Sequence, residues 1–105
     1  MCTSIVEIAP ASGMAKGDEE EWFTLTHSVV SYDHARHAVL EDAITIDFVN
    51  RDLPPSARAA VELSLETAKA LSAALAKAIA AAEIEEAGRS QALERGRPAV
   101  ARIAA

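Results

Sequence analysis

Cysteine occurs once in this chain, at position 2. That excludes an intrachain disulfide framework and fits a reducing cytoplasm. Aromatics are also scarce: Trp22, Phe23, Tyr32 and Phe48 are the only four. The core must therefore be aliphatic. Much of the hydrophobic half of the chain is Ala, which contributes little burial per residue, so the core is thin and homo-oligomerisation is expected. No apolar run approaches the ~20 residues of a membrane span. The N-terminus lacks the basic region and long apolar stretch of a secretory signal. Positive charge is in deficit, with 10 Lys and Arg against 16 Asp and Glu and a net charge of -6. A dedicated nucleic-acid binder needs a basic surface, so that class is excluded.

The 105 residues suit one domain of α+β type. The charge is uneven along the chain. Residues 1–88 carry 6 basic and 15 acidic side chains, whereas residues 89–105 carry Arg89, Arg95, Arg97 and Arg102 against Glu94. The expected organisation is a single domain over 1–88 and an Arg-rich flexible tail over 89–105, with at most a turn of helix around Gln91–Arg95. Met1 precedes a small residue and is expected to be removed, which leaves a free α-amine beside the Cys2 thiol.

Hydrophobic periodicity supplies the elements. "CTSIVEIA" (2–9) reads as a short strand with Val6 and Ile8 inward and Glu7 outward. Residues 10–21 have Pro, Gly and charge but no period, and read as a loop. "WFTLTHSVVSY" (22–32) alternates and reads as one strand, with Phe23, Leu25, His27 and Val29 on one face. The pair Val29-Val30 interrupts that alternation and marks a candidate bulge. "AITIDFVN" (43–50) and "ARAAVEL" (57–63) read as a hairpin across the Pro-containing turn "RDLPPS". Ser64 is a candidate N-cap, with Glu66 in the first turn and Ala68, Leu71, Leu75, Ala78, Ile79 and Ala82 at helical spacing after it. Gly88 is the expected stop. The outline is a small, mostly antiparallel sheet of about four strands packed on one long C-terminal helix. That helix, about 34 Å long, outreaches a strand of about 23 Å. A partner subunit is the expected cover for its Ala-rich half, giving a dimer.

The chemically loaded stretch is "YDHARH", 32–37. It holds His34 and His37 three residues apart, with Asp33 beside the first and Glu41 and Asp42 downstream. Two imidazoles and a carboxylate suit an open site for a divalent transition metal such as Zn, Fe or Cu. The expected ligands are His34, His37, Asp33 and Asp42. Cys2 could join them as a thiolate if the first strand ends near the loop. A metal-free arrangement uses the same residues. Asp33 would polarise His34 as a general base, and Cys2 would serve as nucleophile, paired with His34 or with His27. Thr45 and Asp47, with Trp22, Thr24 and Thr26, form a polar-aromatic face as a candidate small-molecule surface. Histidines in surface loops are most often plain polar residues, so the loop also has a purely structural reading.

The chain resembles a family of small uncharacterised bacterial proteins. The resemblance is carried by "MCT" followed by "IVE", by "WF", by "YDHARHAVLEDA" and "IDFVN", and by "AVELSLETAKAL". It covers about residues 1–85 and leaves the Arg-rich tail outside. It implies a common fold and supplies no reaction. It also implies that relatives carry His in place of Asp42 and a Gln-like residue in place of His27. The loop then favours metal binding, with Asp42 as the carboxylate substitute. Three readings remain: a metal-dependent small-molecule enzyme, a non-catalytic oligomerising module, and a metal-free Cys/His enzyme.

Overall fold

The computed structural model describes residues 5–18 and 20–96. Two compact units divide between Ala68 and Lys69. The class is α+β. Six strands precede the helix: β1 (Ile5–Pro10), β2 (Met14–Lys16), β3 (Trp22–Thr24), β4 (His27–His34), β5 (Asp42–Val49) and β6 (Arg58–Leu63). The helix α1 spans Leu65–Gly96. Four strands form an antiparallel sheet in the order β1-β4-β5-β6, and β2 and β3 form a separate two-stranded sheet.

The stretch expected as one strand over 22–32 is two strands in two sheets. Leu25 and Thr26 make the break. The Leu25 N–H donates to the Gly13 carbonyl (2.8 Å) and the Thr26 N–H to that of Val49 (2.9 Å). Leu25 thus holds the chain to the small sheet and Thr26 hands it to the large one. The partner strand β2 lies inside the region expected to be loop. Three residues are too few for alternation to be visible, and β2 exists through its pairing with β3. Gly13 allows the turn before it, because its φ of 148° is one that L side chains rarely adopt.

Register then sorts the residues of the large sheet by face. Residues directly opposite one another share a face, and neighbours along a strand alternate. Glu7, Val30, Ile46 and Val61 line up across the four strands. With Tyr32, Ile44, Phe48 and Leu63 they make the apolar face. Val6, Ser31, Thr45 and Glu62 line up on the other. Val30, not Val29, therefore joins the Ile44/Ile46/Phe48 face, and His27 and Val29 lie with Asp47. The expected orientation of β1 is reversed in the same way, since Glu7 shares the apolar face while Val6 and Ile8 are exposed on the polar one. An edge strand tolerates this: a charge there still reaches water and guards the edge against further pairing. Among the described residues only the small Ala43 is fully buried, at 1 % exposure.

The helix begins as the cap predicts. Ser64 Oγ accepts the N–H of Thr67 (3.1 Å), and Ser64 O accepts that of Ala68 (2.9 Å). The helix does not stop at Gly88. A glycine ends a helix by turning left-handed, and Gly88 has no positive φ. Inside a helix it costs only about 1 kcal/mol, which good helix formers on both sides offset. So residues 89–96, expected as tail, are helical, and the remainder of that tail lies outside the described residues. No residue of α1 is buried, and no described helix is long and apolar enough to cross a membrane.

Candidate functional site

The β4–β5 connection positions the loaded loop. The ladder runs up to the pair His34–Asp42, so these two residues face each other at the last rung. His34 Nδ1 lies 2.9 Å from Asp42 Oδ1. Asp33 was the expected partner of that ring. Successive strand residues point to opposite faces, so its carboxylate cannot reach round. Asp33 Oδ1 instead accepts the His34 backbone N–H (2.7 Å).

Beyond the last rung the chain forms a short loop over 35–41. The Ala35 N–H donates to Glu41 O (3.2 Å) and the Leu40 N–H to Ala38 O (2.9 Å). What fixes the loop comes from β6. Glu62 Oε2 accepts the Arg36 N–H (2.7 Å), and its Oε1 accepts those of His37 and Ala38 (both 2.8 Å). Three consecutive backbone donors thus converge on one carboxylate.

Below this loop, the polar face of the sheet forms a cleft of about 800 Å³. Its floor carries the hydrogen-bonded hydroxyls of Ser31 and Thr45 and the ion pair of Asp47 with Arg58. Asp47 and Arg58 are diagonal neighbours on one face, since Asp47 stands opposite Ala60. The wall carries His34, Arg36, His37 and Glu62. The volume falls within the range of small-molecule sites.

The structure brings together Asp33, His34, His37, Thr45 and Asp47 from the sequence-predicted set. His27 is separate, because it sits at the opposite end of β4, seven residues and about 23 Å away. There its ring contacts Thr26 Oγ1 and the Arg51 guanidinium. The expected continuous surface of Trp22, Thr24 and Thr26 with Thr45 and Asp47 is divided by the break at Leu25. Trp22 borders a smaller recess of about 210 Å³ with Phe23 and Pro54. Glu41 contributes its carbonyl to the loop. Cys2 lies outside the described residues. Ile5, the first residue of β1, stands opposite Tyr32. Among the described residues no three His, Cys, Asp or Glu side chains are grouped as a metal site.

Residues 1–88 match the model of a family of unknown function, DUF6295. The chain belongs to this family. No curated protein and no solved structure matches it. In this member of DUF6295, Ser31, Glu62 and Arg58 of the cleft escaped sequence reasoning, and the last two carry charge. The available signal for Glu62 and Arg58 was their phase, because both alternate with Ala59 and Val61 on β6.

Glu62 has its carboxyl held below the usual carboxylate value. The Arg36 N–H is the largest cause, followed by those of Ala38 and His37, and nearby His37 adds to them. Partial desolvation pulls the other way and is outweighed. The sign of the linkage follows. A depressed folded pKa contributes stability that is present above the ordinary value of 4.5 and is lost as pH falls through the lower folded value. Acid should therefore release the loop. Amide exchange at Arg36, His37 and Ala38 should lose protection below pH 4.5 in the wild type. Glu62→Gln should show weak protection of these amides at every pH. Equal and pH-independent protection in both proteins would remove the clamp.

Proposed function

We propose that the protein binds a small polar molecule in the cleft between the loop over 35–41 and the polar face of the sheet. The observation that carries this reading is the cleft itself. It is a concave site of about 800 Å³ lined by hydroxyls, an ion pair and the loop that carries His37. Register puts the His34–Asp42 pair on the side of Tyr32 and Ile44, so His37, beside Glu62 on the cleft wall, is the imidazole suited to move a proton on that molecule. A panel of polar metabolites, screened by thermal shift, should contain compounds that raise the melting temperature. Saturation at a hundredfold over Kd stabilises a fold by about 2.7 kcal/mol. Thr45→Trp, which fills the floor, should abolish that rise. A rise that survives Thr45→Trp places the ligand elsewhere.

A second reading, a metal-dependent enzyme, has one observation in its favour. A carboxylate that orients an imidazole through one nitrogen commonly leaves the other for a metal, and Asp42 does this to His34. His37 and Cys2 would complete the set, since the Asp33 carboxylate lies on the other face from the His34 ring, and a divalent ion there would polarise the bound molecule or its attacking water. Elemental analysis of untagged protein tests this. One transition metal per chain, lost in His34→Ala and His37→Ala, is the expected result, and a metal-free wild type removes the reading.

The proposal extends to a homodimer. Val30, Tyr32, Phe48 and Val61 share one face of the sheet and are 37–44 % exposed. Leu71, Leu75 and Ile79 are exposed along one stripe of the helix. Each is an exposed apolar patch of a kind that marks an interface. Sedimentation should give twice the 11.1 kDa of the chain, and Phe48→Asp should halve it. A wild-type monomer overturns the assignment.

A further inference from the structure

We infer that the three loop amides of Arg36, His37 and Ala38 form an anion-binding site that Glu62 occupies from within the chain. A carboxylate or phosphate group on the cleft's ligand would exchange with Glu62 for that site. The inference rests on the small-molecule reading above and names the ligand's chemical class.

Five features carry it. The donors are consecutive backbone N–H groups aimed at one point, an arrangement that concentrates positive partial charge and binds anionic oxygen. Their contacts of 2.7–2.8 Å are as short as charge-assisted bonds. Among the described residues no Lys or Arg side chain pairs with Glu62, so the amides do the neutralising. Arg36, whose guanidinium carries a permanent charge, also belongs to the cleft's lining. Finally, the occupant can leave cheaply. The Glu62 backbone is fixed in the ladder opposite Thr45, while its carboxylate hangs on a flexible side chain. Withdrawal of that side chain frees the amides and breaks no strand pairing.

This arrangement makes Glu62 an internal competitor. A tethered group competes at an effective concentration on the order of millimolar, so an external anion binds weakly until the tether is cut. Selectivity follows as well. A ligand with an anionic oxygen group and the right reach into the cleft displaces Glu62, whereas a neutral analogue of the same shape does not.

The test uses inorganic phosphate and acetate as probes, read by amide chemical shifts of the full chain. In Glu62→Ala, both probes should produce saturable shifts at Arg36, His37 and Ala38. The apparent affinity should exceed that of the wild type by roughly tenfold or more, the advantage of removing a tethered competitor. Acetate, the excised carboxylate, should also restore amide protection in the loop. Glu62→Gln keeps one carbonyl acceptor and should fall between the two. Arg36→Ala in the Glu62→Ala background should weaken phosphate binding further. Absence of shifts in Glu62→Ala, or shifts no stronger than in the wild type, overturns the inference. So does a Glu62→Ala loop that neither probe reorders. A metabolite that stabilises the wild type in a manner blocked by Thr45→Trp, while phosphate leaves the Glu62→Ala amides unmoved, overturns the anion site alone. The cleft reading then stands.

Discussion

A carboxylate that accepts three backbone N–H bonds has two consequences at once. It keeps its own charge, and it fixes the conformation of the segment that donates. Glu62 does both for the loop over 35–41. Without such an acceptor, three adjacent amides at the tip of a β connection would bond to water, and the loop would sample many conformations. With it, the positions of Arg36 and His37 over the cleft become properties of β6, a strand 25 residues away in sequence. The cleft's wall and its floor are therefore tied to the same strand. Arg58 pairs with Asp47 on the floor, and Glu62, four residues on, holds the wall.

The sheet makes this possible through its two-residue period. Ser31, Thr45 and Glu62 form one row, and Val29, Asp47 and Ala60 the next. Polar and charged groups accumulate on that face because the other one takes Val30, Tyr32, Ile44, Ile46, Phe48 and Val61. The sorting has a cost at the edge, where β1 places Glu7 in an apolar row and leaves Val6 and Ile8 exposed. An edge strand accepts that cost because its outer side meets water. A central strand with the same phase would bury an unpaired charge.

Much of this architecture could be read from the residues. The strands over 43–50 and 57–63 and the capped start of the helix at Ser64 are local signals, and the structure contains each of them. The misreadings arose where a long-range contact outweighed a local one. The alternation from Trp22 to Tyr32 predicts one strand, yet Leu25 bonds to Gly13 and Thr26 to Val49, and these two contacts send the halves to different sheets. Gly88 predicts a stop, yet nothing turns the chain left-handed there, so the helix continues to Gly96. Asp33 is the neighbour of His34 in sequence, yet pleating points it away and register brings Asp42 across instead.

By itself the sequence determined the two strands over 43–50 and 57–63, the capped long helix after them and the short stretch that holds His34 and His37, because propensity, capping and period act over a few residues. Only the tertiary structure decided the company those imidazoles keep. The pairing of His34 with Asp42, the clamp of Glu62 on the amides of Arg36, His37 and Ala38, and the Asp47–Arg58 pair on the cleft floor all depend on strand order and register. Both are fixed by pairings 8 to 26 residues apart. No short window of sequence contains both partners of such a contact, and a shift of one residue in register would move every one of them to the opposite face.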